Sequence, residues 1–188
     1  RPEYDRKHLA PLANSLANSG WPVALIEYRR IIGNPDAALS DVINAIGEVS
    51  KKYSKLILIG HSAGGHLALV AAHKVKASAI IALAPLTNLL EAEKLDLDEG
   101  AVADFLGAPA SLRPELDPTR LPALSIPITL IHGASDLRVP INFSRDYVAL
   151  KTGPNVNYLE FENVGHFELI DPRSEIFGEI SRVLASLN

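Results

Sequence analysis

Short apolar runs alternate along the chain with segments in which apolar residues recur at helical spacing. The runs PVALIE, KLILIG, SAIIAL, ITLIH and NYLEF occupy residues 22–27, 55–60, 78–83, 128–132 and 157–161. Helical spacing covers residues 5–18, 36–53, 62–75, 141–151 and 173–187. The first four runs are almost continuously aliphatic, as strands buried on both faces are. The pattern predicts an α/β fold with a mostly parallel central sheet and helices on both faces.

One stretch interrupts this alternation. Between residues 86 and 124, Pro109, Pro114, Pro118 and Pro122 stand among acidic residues and short helical pieces. We interpret this stretch as an excursion over one edge of the sheet and not as a second domain. The length of 188 residues then fits a single domain over residues 1–188.

The amino-acid composition and net charge exclude several kinds of site and narrow the range of expected partners. The chain has no Cys, so disulfides, thiolate metal sites and a Cys nucleophile are excluded. A net charge of -4 gives no electrostatic reason to expect nucleic acid or an anionic membrane as partner. No apolar run approaches the ~20 residues of a membrane-spanning helix, and no signal-peptide core is present. Cytoplasm is the default localisation.

The sharpest motif is GHSAGG at residues 60–65, here called the elbow, which follows the second apolar run and opens a helical segment. Glycines around Ser62 would remove side chains that collide in a tight strand-to-helix turn, so its hydroxyl becomes an exposed nucleophile. The Ala63 N–H, at the start of the helix, can point toward an oxyanion. A glycine-rich turn with a capping Ser is the structural alternative.

A serine nucleophile needs a base, and the base needs a carboxylate that fixes its tautomer. Asp136 follows the run ITLIH, and His166 follows the run NYLEF, so the chain order is Ser, Asp, His. All three residues come just after predicted strands. Because carboxyl ends of parallel strands share one edge of the sheet, we predict that these three residues form a catalytic triad.

The other histidines receive no catalytic role. His61 and His66 flank Ser62, His132 ends a strand, and His8 and His73 fall on predicted helices. No His-x-x-x-His pair with a nearby Glu indicates zinc. We therefore expect neither a metal nor a cofactor.

The segments GHSAGGHLAL, EYRR, DPT at 117–119, HGASDLRVP and GHFELIDP together resemble the α/β-hydrolase superfamily. They are most similar to small esterases related to the kynurenine formamidases of this type and to hormone-sensitive-lipase-like carboxylesterases. The resemblance spans essentially the whole chain. It implies Ser62 as nucleophile, Asp136 as triad acid, His166 as general base and the Ala63 N–H as one oxyanion donor.

The resemblance departs at the amino end. In this family the second oxyanion donor lies on a His-Gly-Gly loop before the first helix, which is predicted here from Asp5. The family's strand between those corresponding to residues 22–27 and 55–60 is also missing. We therefore expect the amino-terminal strands to be absent and the chain to be truncated.

These observations predict a serine hydrolase that cleaves a small carboxylic ester or aryl-formamide through an acyl-serine intermediate. N-formylkynurenine formamidase is a narrower alternative, and a non-catalytic hydrolase-like binding scaffold is a second. The expected partner is a small ester or amide substrate, and the sequence leaves a homo-oligomer open. We expect specificity to lie in the excursion and in side chains such as Phe143 and Phe167.

Overall fold

The computed structural model describes residues 5–187. In these residues four strands form one sheet: β1 (Ile57–His61), β2 (Ala79–Leu83), β3 (Ile128–Gly133) and β4 (Val156–Phe161). All neighbours are parallel, in the order β1-β2-β3-β4. The sequence prediction of a mostly parallel sheet is confirmed, and each of these strands overlaps its predicted run.

Helices fill the connections that parallel strands require. Those between strands are α3 (Ala63–Ala71), α4 (Leu89–Lys94), α5 (Ala101–Leu106) and α6 (Asn142–Leu150). Before β1 come α1 (Ala10–Asn18) and α2 (Pro35–Ser50), and after β4 comes α7 (Ile176–Ser186). Short 3-10 turns cover Arg6–Leu9, Ala110–Leu112, Pro114–Leu116 and Glu168–Ile170. Across residues 5–187, no helix has both the length and the apolar character needed to cross a membrane.

The two faces of the sheet pack against different helices. Ile81, Leu83 and Ile131 belong to a core cluster with residues of α1 and α7. Their neighbours Ile80, Ala82 and Leu130 belong to a cluster with residues of α3 and α6. Because successive side chains of a strand point to opposite faces, this division places helices on both sides of the sheet, as predicted.

The predicted strand at residues 22–27 is wrong. Those residues form no strand, and residues 22–30 make no backbone–backbone hydrogen bond to any other described residue. Side chains hold the segment instead: Glu27 accepts from the Arg6 N–H at 2.9 Å, and Arg29 binds Asp41 of α2 through Nε and Nη2 at 2.9 and 2.8 Å. An apolar run becomes a strand only where a neighbour completes its ladder. Within the described sheet, β1 is an edge strand.

The excursion at residues 86–124 contains α4 and α5 and packs on α2 and α3. Val102, Leu106, Ala110 and Leu116 are buried in one cluster with residues of both helices. Its two ends are joined through Asp117, which is fully buried. The Asp117 carboxylate accepts hydrogen bonds from the backbone N–H groups of Leu89 and Thr119, both at 3.0 Å. The excursion therefore packs as one unit against α2 and α3.

Candidate active site

Ser62 lies in the turn between β1 and α3. Its φ of 53° and ψ of −119° place a non-glycine residue outside the ordinary backbone regions. The Ser62 N–H donates to the Leu83 carbonyl of β2 at 2.8 Å, and its carbonyl accepts from the His66 N–H at 3.0 Å. These bonds hold the strained backbone between the sheet and the first turn of α3.

Two glycines of the elbow are required by close backbone approach. A Cβ at Gly60 would collide with the backbone of Gly64, and a Cβ at Gly65 would lie 3.0 Å from the Pro85 Cβ. A Cβ at Gly64 would meet nothing within 4 Å. The prediction that glycines before and after Ser62 remove collisions is therefore right for Gly60 and Gly65, but Gly64 itself occupies open space.

Asp136 and His166 are brought together from two loops that follow β3 and β4. His166 Nδ1 donates to Asp136 Oδ2 at 2.6 Å, and both residues are buried. A carboxylate can only accept, so the Nδ1 carries a proton and Nε2 is left as the basic nitrogen of the neutral ring. Sequence reasoning placed both residues at strand ends, and the sheet supplies their contact.

The Asp136 carboxylate is held in its ionised form. Its other oxygen accepts from the backbone N–H groups of Arg138 at 2.8 Å and Val139 at 2.9 Å. Burial acts to raise the pKa of Asp136, but the side chains of His132 and His166 and the Val139 N–H outweigh it and hold this pKa below its usual range. Asp136 is thus a stable anion facing the His166 ring.

His132 is a contact of Asp136 that sequence reasoning did not find. Its Nε2 lies 3.4 Å from Asp136 Oδ2 and 3.0 Å from the Val139 carbonyl. Because a carbonyl only accepts, this Nε2 carries a proton that faces the carboxylate. Its position at the end of β3, four residues before Asp136, was the available sequence signal.

Ser62 and His166 line the same cavity, but no hydrogen bond joins Ser62 Oγ to His166 or to any other described residue. Hydrogen bonds of catalytic groups are often long without substrate and shorten in the reacting complex. Ala63 is exposed, lines this cavity and is the first residue of α3. The N–H groups of a first helical turn have no intrahelical acceptor, so the Ala63 N–H can receive an anion.

The cavity has a volume of about 430 Å³. Its apolar wall includes Ala38, Leu67, Leu86, Leu89, Val102 and Phe105, and its charged lining residues include Arg29, Arg30, Asp98 and Arg138. Arg138 Nη2 and Asp98 Oδ1 form an ion pair at 2.8 Å between the loop after Asp136 and the excursion. Phe167 lines the cavity, whereas Phe143 is buried in the core and is not among the lining residues. The expectation for Phe143 is therefore wrong.

Two buried histidines flank Ser62. His61 Nε2 donates to the His166 carbonyl at 3.0 Å, and its ring centroid lies 4.3 Å from that of His166. Burial lowers the pKa of His61 to about 3, with the neighbouring His166 adding to the effect. His66 Nδ1 donates to the Leu86 carbonyl at 3.1 Å, and burial lowers its pKa to about 4. Both rings are therefore neutral near pH 7.

Among residues 5–187, no group of three or more His, Asp or Glu side chains could hold a metal ion.

Solved structures share this architecture at low sequence identity. The thermophilic esterase Est2 of Thermogutta terrifontis is 21% identical, with a TM-score of 0.63 over 80% of this chain and 62% of that one. A malate-bound thermophilic esterase from Thermogutta terrifontis gives 16% identity and a TM-score of 0.70 over 97% of this chain and 86% of that one. Esterase B of Lactobacillus rhamnosis, solved with a tributyrin phosphonate, is 17% identical, with a TM-score of 0.76 over 95% of this chain and 70% of that one. The chain has the α/β-hydrolase fold.

The α/β-hydrolase fold gives the elbow its structural context. In this fold a strained strand-to-helix turn exposes a nucleophile at the carboxyl edge of the sheet, and Ser62 occupies such a turn. The chain spans 62% of the length of Est2. No protein-family model matches the sequence. No curated protein matches it either.

Proposed function

We propose that the protein is a serine hydrolase that cleaves a small carboxylic ester or aryl-formamide through an acyl-Ser62 intermediate. The observation that carries this proposal is the buried 2.6 Å hydrogen bond between His166 and Asp136 beside the cavity that Ser62 lines. The α/β-hydrolase fold and the esterase names of its structural neighbours support the same chemistry.

In the proposed reaction, His166 Nε2 takes the Ser62 proton as Ser62 Oγ attacks the acyl carbonyl carbon. The carbonyl oxygen gains negative charge, and the Ala63 N–H donates to it. The tetrahedral intermediate collapses as His166 gives its proton to the leaving oxygen or nitrogen. Water, deprotonated by His166, then attacks the acyl-serine, and Ser62 Oγ leaves with the returned proton. Asp136 stabilises the imidazolium that forms in each half-reaction.

The cavity supports a compact, largely uncharged acyl group. Its volume of about 430 Å³ is near the lower end of the range for small-molecule sites. Apolar residues of α3 and the excursion, such as Leu67, Leu86 and Phe105, form its wall. Three of the arginines that line it are each paired with a carboxylate. A short acyl chain, or a formyl group on an aromatic amine, therefore fits this cavity better than a long or highly charged acid does.

A fluorophosphonate probe tests the nucleophile. We expect the probe to label Ser62 and the protein to hydrolyse short-chain aryl esters, and Ser62→Ala to abolish both while the fold is kept. Related triads lose on the order of 10⁴-fold or more when a member is removed. Ser19→Ala, which removes an exposed hydroxyl outside the cavity, is the control. Labelling that persists in Ser62→Ala would reject the assignment.

Parallel assays separate the narrower alternatives. Turnover of N-formylkynurenine well above that of aryl acetates and butyrates would favour the formamidase. A folded protein that neither reacts with the probe nor turns over any of these substrates would favour the binding scaffold. Titration of the same compounds by calorimetry would then measure binding without chemistry.

A further inference from the structure

His61 links the elbow directly to the loop that carries His166. It is the last residue of β1, where it pairs with Leu83 of β2, and it immediately precedes Ser62. Its backbone is therefore fixed by the sheet. Its side chain is 6% exposed and donates from Nε2 to the His166 main-chain carbonyl at 3.0 Å. One side chain thus joins the elbow that carries Ser62 to the loop that carries His166.

The loop at 162–167 is held mainly from its other side. Ala134 N–H donates to the Phe161 carbonyl at 2.8 Å, and Ser135 N–H donates to the Val164 carbonyl at 3.1 Å. Ser135 Oγ also donates to the Glu162 carbonyl at 2.9 Å. Among the described residues, the bond from His61 is the only hydrogen bond between the elbow and this loop. Without it, no hydrogen bond among the described residues would join this loop to the elbow.

His61 also packs against the ring that it helps to place. The two imidazole centroids lie 4.3 Å apart with planes tilted by 47°. The His166 ring has one side-chain hydrogen bond, to Asp136, and a single bond leaves the ring free to swing about that contact. The His61 ring closes one side of this swing and so restricts the orientations open to His166 Nε2.

The protonation state of His61 suits this contact. A carbonyl only accepts, so the Nε2 of His61 carries the proton of a neutral ring. Burial is the largest cause that lowers its pKa to about 3, and the nearby His166 lowers it further. A charged ring at 4.3 Å would oppose the imidazolium that His166 forms during catalysis. The neutral ring provides the hydrogen bond without that repulsion.

We infer that His61 is a positioning residue, which fixes the distance and orientation of His166 relative to Ser62 by bonding the His166 carbonyl and packing on its ring. The inference rests on the proposed serine hydrolase mechanism. Because proton transfer depends steeply on the alignment of donor and acceptor, a small displacement of this loop costs rate more than it costs substrate binding.

The test compares side chains that keep or lose the donor. His61→Phe keeps a ring and removes the hydrogen bond, and His61→Leu is a second variant without a donor. His61→Gln lacks the ring but has an amide N–H that can reach the position of Nε2. His73→Phe is the matched control, because it makes the same substitution at an exposed histidine that does not line the cavity.

We expect kcat for an aryl ester to fall roughly 10- to 100-fold in His61→Phe and His61→Leu while KM stays within about twofold. His61→Gln should recover most of the loss, and His73→Phe should stay close to the unmodified protein. Near-normal kcat in both donor-free variants, or a His61→Gln variant as slow as they are, would overturn the inference. A Tm that falls in parallel with kcat across the series would overturn it too, because a purely structural role would then suffice.

Hydrogen exchange tests, without an activity assay, whether His61 holds the loop at 162–167. Amides of residues 162–167 should exchange faster in His61→Phe and His61→Leu than in the unmodified protein, and His61→Gln should slow them again. If the unmodified protein proves inactive, the proposed function fails, yet these rates still report whether His61 holds the loop. Unchanged exchange in the donor-free variants would reject the link even in an active enzyme.

Discussion

His166 Nδ1 lies 2.6 Å from Asp136 Oδ2, although the two residues are 30 positions apart and stand on separate loops. The contact forms because β3 and β4 are adjacent and parallel, so their carboxyl ends release the two loops at one edge of the sheet. Asp136 fixes the proton on Nδ1 and leaves Nε2 as the basic nitrogen. In the proposed mechanism, the action of His166 as base therefore depends on the charge and acceptor character of Asp136.

Asp136→Asn tests that dependence. The amide can donate to His166 Nδ1 and so favours the wrong tautomer, while the shape of the side chain is kept. In a comparable triad this change lowers kcat by roughly 10⁴-fold. We expect a similar loss in aryl-ester hydrolysis, measured with circular dichroism as a check on the fold. Asp146→Asn, an exposed change on α6, is the control. A rate within tenfold of normal would move the acid elsewhere.

The unmodified protein and Asp136→Asn should also differ in how their stability depends on pH. The folded-state pKa of Asp136 is lowered, so its ionised form stabilises the native state above the unfolded pKa near ~4. That contribution is lost as pH falls below about 4 toward the lower folded-state pKa. We expect the stability difference between the unmodified protein and Asp136→Asn to shrink in urea titrations over this range. Asp41 and Asp171, whose pKa values are lowered to about 2, titrate in both proteins and cancel. A difference that stays constant down to pH ~3 would contradict the linkage.

Much of this site could be predicted because its determinants are local. The GHSAGG elbow, the aliphatic runs and the residues just after them identify the strand ends at which Ser62, Asp136 and His166 lie. The contact of His61 with the His166 carbonyl could not be predicted, because the two residues are 105 positions apart and meet only in the folded chain. The spacing of four residues between His132 and Asp136 was visible, but it does not show that the chain after β3 turns back toward the His132 ring. A histidine in sequence gives no sign of which carbonyl or carboxylate will face it.

The apolar run at residues 22–27 is predicted to be a strand and is not one. Its apolar sequence is as strand-like as that of β1, yet it forms no strand. Strand formation requires a partner ladder, and a pattern of side chains does not state whether a partner is adjacent. Arg29 and Asp41 fix the end of this segment through an ion pair that no periodicity indicates.

Glycine substitutions in the elbow should differ sharply in stability. Gly60→Ala would place a Cβ against the Gly64 backbone, which cannot move without shifting the start of α3. We expect a loss of about 1–3 kcal/mol or more, seen as a Tm lower by roughly 3–10 °C. Gly64→Ala, where the added Cβ meets nothing within 4 Å, is the control and should melt within about 2 °C of the unmodified protein. Equal Tm values for the two variants would contradict the close approach.

Backbone strain at Ser62 gives a prediction that is independent of catalysis. A non-glycine residue at φ 53° and ψ −119° carries a cost on the order of 1–3 kcal/mol, which glycine avoids. Ser62→Gly should therefore be more stable than Ser62→Ala by roughly 1 kcal/mol, after the entropy cost of glycine is subtracted. At exposed Ser40, within α2, the order should reverse, because glycine is the poorer helix former there. Urea denaturation of the four variants measures both differences, and the same order at both sites would argue against strain in the elbow.

Asp117 should couple the stability of the excursion to the cavity. Its fully buried carboxylate accepts from Leu89 N–H and Thr119 N–H, and from Thr119 Oγ1 at 2.5 Å. Asp117→Ala leaves the buried Leu89 N–H without an acceptor, at a cost of roughly 1–3 kcal/mol, whereas the Thr119 N–H keeps the Thr87 carbonyl at 3.0 Å. We expect a lower Tm and faster proteolysis between residues 86 and 124.

Asp117→Ala should also change the kinetics, because the excursion forms part of the cavity wall. Leu86, Leu89 and Phe105 form part of the cavity wall, whereas Ser62, Asp136 and His166 lie outside the excursion. A loosened wall should therefore raise KM for aryl esters several-fold while the rate of Ser62 phosphonylation by a small probe changes little. Asp146→Asn again serves as the control, because Asp146 is exposed and does not line the cavity, whereas Asp104 does. If Asp117→Ala lowered the phosphonylation rate as much as it raised KM, Asp117 would be acting on the reacting groups and not through the cavity wall.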